Sequence, residues 1–187
     1  MIIAIKGLIG SGKSTIANLL EEKHNFHVVN CDKIVHEMYS TDLDLTNKIV
    51  DTFNLDVFDT KVLGSIVFND VDKLKQLESI VHPLLSIKCQ EIIDLYDDVV
   101  IDCQIIDKLD IDYDLSILAT ASIDTIIDRV SKRDNRSVED IKKIIEIQKQ
   151  VYLLEKRMYA INTEENIDDV LVKIIRSVNA NKNWENS

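Results

Sequence analysis

The residues best equipped for chemistry lie near the start of the chain, where GLIGSGKS at 7–14 fits the pattern G-x-x-x-x-G-K-[ST]. Glycines let a backbone curl until successive N–H groups face a phosphate oxygen, in space that side chains would fill. Lys13 then reaches the β- and γ-phosphates of a nucleotide, and the Ser14 hydroxyl ligates magnesium. The predicted nucleotide-binding set is Ile9, Gly10, Ser11, Gly12, Lys13, Ser14 and Thr15. Without Lys13 and Ser14 the same glycines read as a flexible turn between a strand and a helix.

Such a loop works only between a buried strand and a helix whose N-terminal amides point at phosphate. Ile2, Ile3, Ala4 and Ile5 form the apolar run of a central parallel strand, and Ile16, Ala17, Leu19 and Leu20 recur at helical spacing. HVVN at 27–30 predicts a second strand, and CDKIVHEMY from Cys31 begins a helix. Residues 43–98 read as helices alone, with the runs Val71, Leu74, Leu77 and Ile80, Val81, Leu84 interrupted at His82-Pro83. VVIDC at 99–103 and LSILAT at 115–120 return to strand character, and a helix starts after Ser122. From Ser137, with Asp140 in a capping-box-like start, the spacing predicts a long helix with a stripe at Ile144, Ile147, Val151, Leu154 and Met158. YAIN then reads as the last strand and NIDDVLVKIIRSV as the last helix, before a polar tail. The sum is an α/β architecture, a parallel sheet covered by helices with the phosphate loop after its first strand.

The 187 residues suffice for one domain with a sizeable core, and 45% hydrophobic with 29% charged residues is ordinary for a soluble globular protein. Only four glycines and one proline occur, so helices should dominate. The first apolar stretch is too short for a signal peptide or a membrane span, and a cytoplasmic protein is expected. Cys31, Cys89 and Cys103 contain no C-x-x-C pair, which argues for buried thiols over a disulfide framework or zinc site. With 33 acidic against 22 basic residues the net charge is −11. That balance disfavours nucleic acid as a partner, and bound phosphates would need a locally basic pocket supplied by Lys13 and later arginines.

Taken in order, GLIGSGKST, NCDKIVHEMY, VLGSIVFNDVDKLKQLESIVHPLL and RVSKRDNRSVEDIKKIIEIQ resemble the dephospho-coenzyme A kinases over most of residues 1–170. The third string is the most specific. The resemblance implies ATP- and Mg2+-dependent phosphorylation of the ribose 3′-hydroxyl of dephospho-coenzyme A, the last step of coenzyme A synthesis. The fold implied is a three-layer P-loop kinase: a central parallel sheet, a helical substrate-binding insertion and a lid. On the chain these parts fall at about 1–32, 99–128 and 155–178 for the core, about 33–98 for the insertion and about 129–145 for the lid.

Asp32 occupies the second acidic position of the family's D-x-D element and is implied as general base, although a helix cap is an open alternative. Arg133 and Arg136, in SKRDNRS, match the family lid and would neutralise charge on the transferred phosphoryl group, with Arg129 one turn earlier assisting; each alone could be a solvated surface charge. The resemblance implies that His82, before Pro83, belongs to the substrate domain, for binding or for structure. Gln148 coincides with a family glutamine or serves as a core amide. Asn30 replaces the first acid of D-x-D, and DCQIIDK at 102–108 replaces a D-x-P-L-L-F-E segment, with Lys108 at an acidic position facing the acceptor. The expected partners are ATP and dephospho-coenzyme A, with no membrane partner and a monomer expected, oligomers remaining open. A nucleoside or nucleoside-monophosphate kinase, or a nucleotide-binding regulator of low turnover, are the competing readings.

Overall fold

Strand β1, Ile2–Lys6, carries Ile3, Ala4 and Ile5 in full burial, because a central parallel strand is covered on both faces. The computed structural model describes residues 1–68, 70–149 and 158–185. With β2 (His27–Asn30), β3 (Val99–Asp102), β4 (Leu115–Thr120) and β5 (Met158–Asn162), β1 builds a five-stranded sheet in the order β2-β3-β1-β4-β5. β1 runs parallel to β3 and β4, with Ile5 opposite Asp102 and Ile117, and β4 runs parallel to β5. The four strands expected before the long helix, and YAIN after it, all form.

Helix α1 (Lys13–His24) buries Ile16, Ala17 and Leu20 in one apolar cluster with Val100, Leu115 and Ile117 of the sheet. Val170, Ile174 and Val178 of α8 (Ile167–Glu185) join the same cluster. Full burial contributes about 1.5–3 kcal/mol for each such side chain, so this cluster dominates the packing. Helices α6 (Ile123–Asp134) and α7 (Val138–Lys149) pack through Ile126, Val130, Ile141 and Ile145, with Leu8 and Ile9 of the glycine loop against them.

The described chain divides into two compact units, one of Met1–Val29, Tyr96–Ile106 and Asp112–Ser187, the other of Asn30–Leu95 and Asp107–Ile111. The second unit holds α2 (Cys31–Thr41), α3 (Leu43–Phe53), α4 (Thr60–Val67) and α5 (Val71–Ile93). Side-chain oxygens of Asn30, Asp42, Asp59 and Asp70 cap these four helices in turn. The three cysteines are buried thiols outside any disulfide, and Cys31 Sγ lies 3.7 Å from Cys89 Sγ between α2 and α5. That contact pulls the Cys89 thiol below its ordinary value despite burial. No described helix is long and apolar enough to cross a membrane.

Three local expectations are corrected. Helix α5 runs unbroken through Pro83, which stands on an exposed position while Ile80, Val81, Leu85 and Cys89 stay buried on the other side. A proline costs a helix interior about 3 kcal/mol, less than the burial of several such side chains contributes. In α7 the buried residues are Ile141 and Ile145, with Ile144 half-buried and Ile147 46% exposed, so the packed face is rotated from the expected stripe. Met158 opens β5 and is not helical, whereas Val151 and Leu154 lie outside the described residues. Finally, α8 continues through residues read as a polar tail.

Candidate active site

The loop leaving β1 turns back on itself at Gly10 and Gly12, whose φ angles are 72° and 97°. A Cβ on Gly10 would lie 2.6 Å from Val130 Cγ2, and one on Gly12 would lie 3.0 Å from Thr163, so packing as well as torsion selects glycine. Gly12 is also the N-cap of α1 and provides no side-chain cap. The first amides of α1 are therefore left for an outside acceptor, at the positive end of the helix dipole. The Lys13 ammonium donates to the carbonyls of Gly7 and Leu8, at 2.9 and 3.2 Å.

Gly10, Gly12, Lys13, Ser14 and Thr15 line a cavity of about 340 Å3. Its remaining wall is Arg129, Arg133 and Thr163. Ile9 and Ser11 are placed differently from the other loop residues. The Ile9 N–H donates to Gln148 Oε1 at 2.8 Å, and its side chain packs against α6 and α7. Ser11 is 1% exposed, its hydroxyl has no partner among the described residues, and the residue lines a separate cavity with Leu8 and Ala119.

Asp102 ends β3, is 6% exposed and accepts a 2.6 Å hydrogen bond from Ser14 Oγ. The pairing was not read from the sequence, yet a signal existed: VVID is an apolar strand closed by an acid at its carboxyl end, where ligands of open α/β sheets bind. One hydroxyl and one carboxylate oxygen suit a hard divalent cation that takes its other oxygens from phosphates and water. No group of three or more His, Cys, Asp or Glu forms a protein-only metal cage among the described residues.

Arg129 projects from α6 and donates to Thr163 Oγ1 at 2.9 Å, to the Thr163 carbonyl at 3.1 Å and to the Gly10 carbonyl at 3.4 Å. Arg133 grips the neighbouring Asp134 through Nε and Nη2, at 2.7 and 2.9 Å, and holds that carboxyl below its ordinary range. Arg136 lies 3.9 Å from the same carboxylate and is not part of the cavity wall. Asn135, at φ 51°, ends α6 between the two arginines.

In the helical unit Asp32 sits in the first turn of α2, directly after β2. The cap of that helix is Asn30, whose side chain accepts from the Lys33 N–H at 2.9 Å, so Asp32 is not needed for capping. His82 and Lys108 line a separate cavity of about 880 Å3 with Glu78 and Ser86. Lys108 is no isolated charge there, since its ammonium lies 2.6 Å from Glu78 Oε1. Burial lowers the His82 pKa, Glu78 opposes the shift and Lys108 adds to it. Gln148 donates to Gln104 Oε1 at 2.8 Å while it accepts from Ile9, and so ties α7 to the loop.

A family model described as dephospho-CoA kinase matches residues 1–169. The chain belongs to the dephospho-CoA kinase family. The dephospho-CoA kinase of Borreliella burgdorferi is 30% identical over 195 residues, spanning 98% of this chain and 87% of that one. The dephospho-CoA kinase of Fusobacterium nucleatum is 30% identical over 187 residues, with 94% and 96% covered. Among solved structures, a dephospho-CoA kinase from Campylobacter jejuni superposes with a TM-score of 0.60 at 25% identity, over 95% of this chain and 96% of that one. The resemblance read from four motifs is thus a family relation, and the P-loop kinase fold expected from it is the fold observed. For a dephospho-CoA kinase family member, the sequence reading omitted Asp102, Thr163 and the Gln104–Gln148 contact.

Proposed function

We propose that this chain transfers the γ-phosphoryl group of ATP to the ribose 3′-hydroxyl of dephospho-coenzyme A, releasing ADP and coenzyme A. The observation that carries the reading is the Ser14–Asp102 pair beside the uncapped start of α1, in a chain whose family match spans 1–169. The amides of the loop and of α1 bind the β-phosphate, and Lys13 exchanges the Gly7 and Leu8 carbonyls for phosphate oxygens. Ser14 and Asp102 would hold Mg2+, which neutralises charge on the β- and γ-phosphates when bound. Arg133 releases Asp134 to meet charge developing on the transferred group, and Arg129 supports the loop from Gly10. Asp32 accepts the proton of the attacking 3′-hydroxyl. His82 and Lys108 lie on the acceptor side, in the helical unit. The enzyme acts in the cytoplasm, where buried thiols such as Cys31, Cys89 and Cys103 stay reduced.

A coupled ADP-release assay with dephospho-coenzyme A, adenosine and nucleoside monophosphates side by side tests the acceptor. The largest kcat/KM is expected for dephospho-coenzyme A. A larger value for adenosine or for a monophosphate would reject it.

A further inference from the structure

We propose that Thr163 is a positioning residue for ATP binding, its hydroxyl holding the phosphate loop and Arg129 in register. This role rests on the reading that the 340 Å3 cavity receives nucleotide phosphates. Thr163 directly follows β5, and its own N–H is anchored on the Thr120 carbonyl of β4 at 2.8 Å. The side chain therefore projects from the end of the sheet, 152 residues along the chain from the loop it meets.

The hydroxyl has one proton, and it goes to the nearer of two carbonyls: Ser11 at 2.6 Å against Thr120 at 3.2 Å. Peptide planarity makes this bond directional. The Ser11 carbonyl and the Gly12 N–H share one rigid plane and point in opposite senses, so fixing the carbonyl fixes the direction of the N–H. That N–H is one of the amides a glycine loop offers to phosphate. A lone pair of the same hydroxyl accepts from Arg129 Nη1 at 2.9 Å, and the Thr163 carbonyl takes Nη2 at 3.1 Å. One residue thus orients an amide and a guanidinium of the same cavity wall.

Packing repeats the point, since a Cβ on Gly12 would come within 3.0 Å of Thr163 Cβ, Cγ2 and Oγ1. Thr163 fills the space that glycine leaves. A threonine that only satisfied its own polar tip would need one partner, whereas this one joins two elements of the phosphate site.

The test is calorimetric binding of Mg2+-ATP to the full chain without acceptor, for the parent and for Thr163→Val, Thr163→Ala and Thr163→Ser. Ala and Ser differ only in the hydroxyl, so their comparison stands whether or not the valine variant folds. Ala and Val are expected to weaken ATP binding about tenfold, the scale of one hydrogen bond to a charged group, and Ser to recover most of it. In turnover the KM for ATP should rise by a similar factor while the KM for dephospho-coenzyme A stays within about twofold. Equal ATP affinity for Ala and Ser, in a parent that binds ATP, overturns the inference alone. A parent that binds no ATP overturns the nucleotide reading and the inference with it.

Discussion

Replacing Asp102 with Asn separates the two things that its carboxylate does. The amide has nearly the same shape, and its oxygen still accepts from the Ser14 hydroxyl now 2.6 Å away. What disappears is the negative charge. A hydrogen bond to a charged group contributes about 1.5–3 kcal/mol and a neutral one about 1, so the folding loss is about 1 kcal/mol. For a chain of this size that lowers Tm by about 2–4 °C. The effect on metal is larger: Asp102 would supply a charged oxygen to a hard cation, and even the outer partners of metal ligands are worth about 10–100-fold in metal affinity. The Mg2+ concentration giving half-maximal rate should therefore rise about 10–100-fold in Asp102→Asn, with much of the rate restored at saturating Mg2+. ADP release at fixed ATP and dephospho-coenzyme A, with Mg2+ varied, gives the midpoint, and circular dichroism gives Tm. An unchanged Mg2+ midpoint in a folded variant would show that Asp102 only anchors Ser14, and the metal argument would fail.

Lys13→Ala should lower kcat/KM by about 100-fold or more and leave the circular dichroism spectrum native, since the lysine is a charge held on the Gly7 and Leu8 carbonyls and not an apolar packing element; near-normal turnover in the folded variant would reject the phosphate-loop assignment. Asp32→Asn leaves the Asn30 cap in place, so kcat should fall about 100-fold or more with little change in Tm; an early-melting variant of normal turnover would make Asp32 structural. The Glu164 carboxylate accepts from the Thr125 hydroxyl and from the Ser122 N–H and hydroxyl, which holds its pKa below the ordinary value. A carboxyl with a depressed folded pKa contributes stability above its unfolded pKa and loses it as pH falls through the folded one. The Tm gap between the parent and Glu164→Gln should thus be widest near pH 7, begin to narrow as pH falls through about 4 and close only below the lowered folded pKa. A gap constant across that range would mean that the charge is irrelevant.

The loop of residues 7–14 was legible because its chemistry depends on local spacing, and the strands were legible because parallel strands buried on both faces read as apolar runs. Pro83 misled for the opposite reason. A local breaker was weighed without the buried side of α5, which only tertiary packing reveals. Cys31 and Cys89 stand 58 residues apart and meet through helix packing, with no pattern to announce it. Thr163 is similar: an ordinary residue type after a strand acquires a role only when the sheet brings it to Ser11 and Arg129. Asn30 shows how two readings compete, since a residue seen as a lost acid turned out to be the cap that frees Asp32 from that duty.

The phosphate loop grows out of β1, the strand at the middle of the sheet, whose Ile3, Ala4 and Ile5 are completely buried. Local fraying cannot release such a strand, because β3 and β4 clamp both its edges. The anchor of the loop is therefore lost only when the sheet itself comes apart, even where the loop beyond it opens locally. Nucleotide bound there acts on the global folding equilibrium: at 100 times its Kd it adds about 2.7 kcal/mol. The strand that shapes the loop thus couples nucleotide binding to the stability of the whole sheet.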